Sequence, residues 1–518
     1  MTTTQRWTLA AAILGSAIVF LDGTIVNVAL PIIGQELPAT VLGQLEGQTY
    51  VVSGYLATLS ALLVLAGALA DFHGRRRIFT IGLVSFGVTS VLCGLAPTLE
   101  LLVLARVLQG AAGALLVPGA LSIITATFDG PERARAFGIW AAATSATTAF
   151  GPPLGGFIVE ASWRAAFLIN VPLVLLAVWA TIRHMRETRD EESSGRFDWL
   201  GALVAVLAVG GLGFGAIRGQ DRQWQDPLGW VALGIGAIAL VAFPVLMAVR
   251  RDPLVPLSLF RSRQFATINL STLLIYGALY VTFTFQSLFL QGVLGYTPPA
   301  SAIVGLPVSI LLTLLSAHVG SIAGRVGARR FLVAGPLVMG LGLLWFARIP
   351  ATSEPWRATL QDAGSLVPPT SVLVDVLPAI LLFGVGISMV VAPLTSTLMD
   401  AVPSRNAGIG SAINNAVSRV GQPLLSAVIF IVVSGSFYAT LADRVAGVDA
   451  SSSALRAQVQ PMNPPRSGTT AEVVIAAREA STDAFHLAAV VGAGLLAAGA
   501  VVNFVGLRES SRERASGA

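Results

Sequence analysis

The sequence predicts an all-α polytopic membrane protein: two six-helix bundles repeated in parallel, a two-helix hairpin inserted between them, and fourteen transmembrane helices in total. Three observations carry this. Of 518 residues, 54% are hydrophobic and only 11% charged, whereas a chain that solvates its own surface carries about a quarter of charged residues. Apolar runs long enough to cross a bilayer, at about 20 residues each, recur from one end of the chain to the other. Two stretches of the first half also return, in order, in the second. The composition alone excludes a water-soluble enzyme.

The fourteen runs lie near 8–33, 48–70, 77–96, 99–127, 135–159, 165–184, 199–217, 229–249, 265–292, 299–319, 330–348, 372–398, 407–437 and 484–507. The first run follows Met1 to Arg6, which lack a cleavage pattern, and it is too long for a signal peptide, so it reads as a retained helix. Runs one to six and nine to fourteen form the two bundles, and runs seven and eight form the inserted hairpin. The units expected are therefore 1–190, a linker with two extra helices over 191–263, 264–507, and a cytoplasmic tail over 508–518. Segments 349–371 and 438–483 are polar and rich in Pro and Ser. They read as irregular or mobile, with a short helix around Ala471 to Ala480.

Charge sets the orientation. The net charge is +5, and every one of the 32 basic residues is arginine. With the N-terminus in the cytoplasm, 21 arginines fall on the inner side and 9 on the outer; the remaining two, Arg106 and Arg419, fall within runs. This positive-inside bias places both termini in the cytoplasm of a plasma (inner) membrane protein. The arginines cluster between apolar runs and form no continuous stripe, so no nucleic-acid partner is expected. The absence of lysine removes Schiff-base chemistry. The single cysteine, Cys93, excludes an internal disulfide and reads as a packing residue. No metal-ligand cluster and no cofactor motif is read.

The repeat bears on mechanism. Gly67-Ala-Leu-Ala-Asp71-Phe-His-Gly74-Arg75-Arg76-Arg77 follows the second run, and Gly320-Ser-Ile-Ala-Gly324-Arg325-Val-Gly327-Ala-Arg329-Arg330 follows the tenth. Arg135, Gly138, Ile139, Gly151, Pro153 and Leu154 recur at a constant offset as Arg405, Gly408, Ile409, Gly421, Pro423 and Leu424. Parallel halves of this kind are one way in which transporters place a substrate site near mid-membrane.

Ionisable groups inside a span cost at least about 2.5–3.5 kcal/mol, which makes each one a functional candidate. Asp22, in Leu21-Asp22-Gly-Thr24-Ile-Val-Asn27, is the only carboxylate deep in any run, roughly 18 Å in at 1.5 Å per residue. It reads either as a protonated carboxyl bonded to a neighbouring helix or as a proton carrier that loads and unloads as its surroundings change. Arg106, in Leu104-Ala-Arg106-Val-Leu-Gln109-Gly110, lies roughly 12 Å from the outer face. It cannot discharge and must find acceptors, either backbone carbonyls or a carboxylate. Gly151, Pro152, Pro153, Gly155 and Gly156 remove donors and side chains in the outer part of the fifth run, which suits a bend that gates or a close helix contact.

Further candidates are less specific. Gly67, Asp71, Gly74, Arg75 and Arg76 form a short inner turn, either topogenic charge or a latch in which Asp71 and Arg75 join the halves. Asn414, Asn415, Ser418, Arg419 and Gln422 form a polar strip that lines a cavity or docks on that latch. Tyr276, Tyr280 and Phe283, with Phe285, Gln286 and Phe289 beside them, form a stripe; core packing is its commoner meaning and an aromatic wall for flat or cationic ligands the rarer. Asn27, Gln109, Tyr276, Tyr280, Gln286, Asn414 and Arg419 are the expected cavity-lining residues.

These motifs resemble the major facilitator superfamily, and within it the fourteen-span drug:proton antiporters. Asp22 to Pro31 is similar to that family's first-span motif, Gly67 to Arg77 to the superfamily loop motif, Arg106 to Gly113 to the fourth-span motif tied to proton coupling, and Gly151 to Gly156 to the fifth-span antiporter motif. Ser162 to Pro172 and Pro256 to Arg261 are similar to the family as well. Phe72 departs from the arginine common in the loop motif, and Gly324 stands where the second-half echo would carry an acid. The resemblance implies a monomeric proton-coupled exporter, with alternating access, of lipophilic or cationic small molecules such as drugs, or of an endogenous lipid or secondary metabolite. From another class, a proton-pumping subunit of a redox complex would need lysines, glutamates or histidines strung through the membrane, and His318 is the one span histidine read here.

Overall fold

The computed structural model describes residues 1–507 apart from 39–43, 189–196, 222–225, 360–361, 446–448, 450–451, 464 and 466–467. The tail 508–518 and part of the linker read from sequence therefore lie outside the described residues. In a bilayer, backbone polar groups have no water to bond and must pair within the segment, so long apolar runs become helices. The helices in order are α1 (Thr3–Glu36), α2 (Gln44–His73), α3 (Arg75–Gly94), α4 (Leu99–Ala114), α5 (Leu116–Thr127), α6 (Gly130–Ala161), α7 (Ala165–Leu168), α8 (Asn170–His184), α9 (Trp199–Asp221), α10 (Pro227–Val249), α11 (Ser258–Arg261), α12 (Arg263–Leu288), α13 (Pro298–Val326), α14 (Arg329–Phe346), α15 (Leu377–Asp400), α16 (Ala407–Arg444), α17 (Ser453–Gln458) and α18 (Ala471–Gly506). Among the described residues there is no strand, only one isolated bridge between Thr359 and Asp362.

Eleven helical segments are long and apolar enough to cross a membrane on the described residues alone. Three further expected runs coincide with the long helices α6, α12 and α16. The run expected over 99–127 is divided into α4 and α5, with Pro118 in the first turn of α5, where a missing N–H costs nothing. The run over 165–184 is divided in the same way into α7 and α8. On α10 only Gly229, Gly236, Ala239 and Met247 are buried, while Ile238, Val241 and Val249 stand more than two-thirds exposed. That is the surface lipid tails cover.

The two halves meet through crossed pairs. α2 packs on α16, and α6 packs on α13. Both contacts are made by glycines in the repeat: a Cβ on Gly67 would fall 2.4 Å from the Gly408 carbonyl oxygen, and a Cβ on Gly138 would fall 2.8 Å from Ala317 Cα. Gly138 and Gly408 are the equivalent positions read from the sequence. The α9–α10 hairpin lies against α2 and α16 through α9. One end rests on α2 through an edge contact of Phe197 with Phe72, and the other through Arg218, which donates to the Tyr50 hydroxyl and to Asp226.

The structure corrects the reading of the two long segments. Within 438–483, α16 runs on to Arg444 and the expected short helix is the first turns of α18. Arg444 pairs with Glu479 and Asp483 of α18, so the two helices are held together beyond their apolar stretches. Met462 is buried, and its N–H donates to Ser481 Oγ at 3.1 Å. Segment 349–371 is irregular but packed: Trp356 is buried, its Nε1 donates to the Ser365 carbonyl at 2.9 Å, and its own carbonyl accepts from Thr297 N.

Candidate functional site

Asp22 lies at the centre of a polar cluster sealed within α1–α8. Asp22, Arg106, Gln109, Ser90 and Asn170 are all at most 1% exposed. Arg106 Nη1 donates to Asp22 Oδ2 at 2.5 Å and to Gln109 Oε1 at 2.7 Å, and Arg106 Nε donates to the Val51 carbonyl at 3.0 Å. Asp22 Oδ1 accepts from Gln109 Nε2 at 3.1 Å and from Asn170 Nδ2 at 3.0 Å. Gln109 and Asn170 both also donate to Ser90 Oγ. The guanidinium lies over the Tyr55 ring, 4.0 Å from its centroid, and the Tyr55 hydroxyl donates to the Val19 carbonyl. Both alternatives for Arg106, backbone carbonyl and carboxylate, are thus realised at once. Such a pair is tolerated only because nearly every lone pair and proton finds a partner.

Small residues bring these groups together. A Cβ on Gly110 would come within 2.4 Å of the Tyr55 carbonyl, so α4 can press on α2 one turn from Arg106. Gly151 and Gly155 of α6 face the turn of α1 that follows Asp22: a Cβ on Gly151 would fall 2.0 Å from Thr24 Oγ1, and one on Gly155 3.2 Å from Ile25 Cα. Side chains at Asn27, Pro152, Pro153, Gly156, Tyr280 and Gln422 lie outside the described residues.

Sequence reading missed Asn170 and Ser90. Asn170 begins α8, following a break in the sixth run, and a lone amide at a helix start carries no spacing signal. Gln109, expected on a cavity wall, is instead fully buried and holds Asp22. Cys93 is buried as expected and its thiol approaches Gln109 Oε1 at 3.4 Å.

The turn from Gly67 to Arg77 is a joint between the halves. Asp71 Oδ1 accepts from Arg75 Nε at 3.1 Å and from the Gly408 N–H at 3.0 Å, and Oδ2 accepts from the Ile409 N–H at 2.8 Å. Arg75 also donates to the Ser404 carbonyl. A carboxylate at the start of α16 meets the free N–H groups and the positive end of the helix dipole. Gly74, at φ 105°, makes the turn into α3, and Glu187 caps that helix by accepting from Arg76 and Arg77 N–H at 3.0 Å each. In the second half, where Gly324 replaces the acid, α13 lies directly on Ala134 of α6. There the bridge is Arg133 to Asp400, at 3.0 Å.

The stripe on α12 is used for packing. Phe283 meets Phe383 edge-on and Phe289 stacks on Phe485 at 4.0 Å; Phe285 and Gln286 are buried, and Tyr276 packs against the core. On α16, Asn414 donates to Asn269 and Thr272 of α12. Among the described residues His318 is bonded to its own helix alone, at the Leu314 carbonyl. It is not the sole span histidine, since His486 lies within α18 and meets the Ile349 carbonyl.

The sequence matches the Major Facilitator Superfamily over residues 12–426. The chain belongs to this superfamily. It is 34% identical over 443 residues to the multidrug resistance protein Stp of Mycobacterium tuberculosis, covering 85% of this chain and 78% of that one. It is 31% identical over 430 residues to the tetracenomycin C resistance and export protein of Streptomyces glaucescens, covering 82% and 76%. The human organic anion transporter MFSD10 shares the fold, with a TM-score of 0.60 at 13% identity over 97% of this chain and 100% of that one. A member of this superfamily is an integral membrane transporter of small molecules, not an enzyme.

Proposed function

We propose that this superfamily member is a proton-coupled exporter of lipophilic small molecules, drugs among them. It works as a monomer in the plasma membrane, with fourteen spans and both termini in the cytoplasm. Units 1–190 and 264–507 rock about the crossed pairs α2–α16 and α6–α13, the hairpin of 191–263 accompanies them, and 508–518 lies on the cytoplasmic side. One observation carries the reading: the single deep carboxylate, Asp22, is bonded on Oδ2 to Arg106 and on Oδ1 to two amides. Because Oδ1 is already taken by two donors, an arriving proton adds to Oδ2 and displaces Arg106. Arg106 keeps Gln109 Oε1 and the Val51 carbonyl as acceptors, so the guanidinium survives the loss while the hold of α4 on α1 falls from an ion pair plus an amide bond to the Gln109 amide bond alone. The loosened turn of α1 touches Gly151 and Gly155 of α6, and α6 packs on α13 of the other half. Proton arrival at Asp22 and rocking of the halves are thereby linked through direct contacts.

Resistance to drugs in the named relatives supports the export of such compounds here. Asp22→Asn, reconstituted in proteoliposomes, keeps substrate exchange down a gradient and loses uphill accumulation driven by a pH difference; undiminished uphill transport would place the proton carrier elsewhere. A relative named for export as well as resistance favours a second reading, a dedicated exporter of a lipid or secondary metabolite the cell makes. A deletion strain that retains such a compound while its drug tolerance is unchanged selects that reading.

A further inference from the structure

Arg419 is the second arginine inside a span, and its surroundings are unlike those of Arg106. It lies twelve residues into α16, roughly 18 Å from the inner end at 1.5 Å per residue. Gly408, Ala412, Asn415 and Arg419 fall at i, i+4, i+7 and i+11, one face of the helix. Gly408 and Ala412 on that face touch Gly67 of α2, so the face looks across the seam between the halves.

Arg419 is partly exposed, yet its Nε is buried with no acceptor, and among the described residues the side chain makes no hydrogen bond and no ion pair. The nearest polar side chains on α16 donate elsewhere, Asn415 Nδ2 to the Ser411 carbonyl, Ser418 Oγ to the Asn415 carbonyl and Asn414 Nδ2 to Asn269 and Thr272, and among the described residues none of their oxygens accepts from Arg419. Asp22, the one deep carboxylate, is fully buried, and its oxygens already accept three bonds, from Arg106, Gln109 and Asn170. A guanidinium at this depth cannot discharge and is costly without an acceptor, so the acceptor comes from outside the chain.

We infer that Arg419 is a substrate-binding residue and that the site it serves takes lipophiles carrying an anionic oxygen group, such as a carboxylate, phenolate or enolate, in preference to cations. The inference rests on the proposed exporter reading and narrows its substrate class. A planar fork of N–H donors suits a two-oxygen anion, and a fixed positive charge with no deep acid facing it from across the seam disfavours a cation.

The test uses the purified full chain and two dyes with a common ring system: fluorescein, which is anionic, and rhodamine 6G, which is cationic. Binding is read by fluorescence polarisation. The wild type binds fluorescein the more tightly; Arg419→Gln weakens fluorescein by about tenfold or more and changes rhodamine 6G by less than about twofold; Arg419→Lys recovers part of the loss. Tighter rhodamine 6G binding by the wild type, no fluorescein binding, or a fluorescein Kd unaltered in Arg419→Gln overturns the inference, leaving Arg419 solvated by water. Uptake of fluorescein by proteoliposomes under a pH gradient is measured in parallel. Selective binding without such uptake upholds the anion site and overturns the proton-coupled exporter reading instead.

Discussion

Asp71 accepts the backbone N–H of Gly408 at 3.0 Å, across the boundary between the two halves. The bond is local in space and 337 residues apart in sequence. It forms beside a close backbone approach of α2 and α16, at Gly67 and Gly408, so close packing and helix capping reinforce each other there.

Asp71→Ala leaves the buried Arg75 without its carboxylate and uncaps α16. The arrangement joined at the inner end loses about 3–5 kcal/mol, the cost of stranding one member of a buried pair. A fall in the midpoint of thermal unfolding, together with faster labelling of a cysteine placed at Ser404, reports this; unchanged labelling would make the inner turn purely topogenic.

Gly151→Leu drives a side chain into Thr24 on the turn next to Asp22, where even a Cβ would stand 2.0 Å from Oγ1. The protein still inserts, and exchange between inner and outer access slows by at least about tenfold, an added barrier of about 1.4 kcal/mol. Gly305→Ala, where nothing lies within 4 Å, serves as the control and transports normally. Equal rates for both variants would return Gly151 to simple packing.

Asn170→Leu removes one of the two amides on Asp22 Oδ1 and leaves Ser90 Oγ one donor fewer. A hydrogen bond to a charged group is worth about 1.5–3 kcal/mol, so the pH profile of uphill transport shifts while exchange of a neutral substrate at equal pH persists. Loss of both activities together would mean a structural role only.

Topology is tested with cysteines at Asp252 and Thr352 in a Cys93→Ala background. Both positions are exposed, and with both termini in the cytoplasm they react with an impermeant maleimide from opposite sides, Asp252 from the inside. Labelling from one side would break the fourteen-span reading.

Along each helix, the sequence was informative about depth. Hydropathy placed Asp22 and Arg106 at comparable levels, and a constant offset paired Gly138 with Gly408, because position along a span is a count of residues at a fixed rise. Membership in the superfamily was legible for the same reason: Gly67 to Arg77 and Arg106 to Gly113 are local patterns.

What surrounds each group, by contrast, was decided only in three dimensions. That Asn170 bonds both Asp22 and Ser90, that Asp71 caps α16, and that Arg419 has no acceptor among the described residues all depend on how each helix is rotated and which neighbour it meets. In an apolar solvent the hydrophobic effect does not choose that rotation; close approach at Gly67, Gly110 and Gly151 does. The sequence by itself determined how deep each charge lies, and the tertiary structure decided what each charge meets, because depth follows from chain length while contact follows from the packing of small residues between helices far apart in the chain.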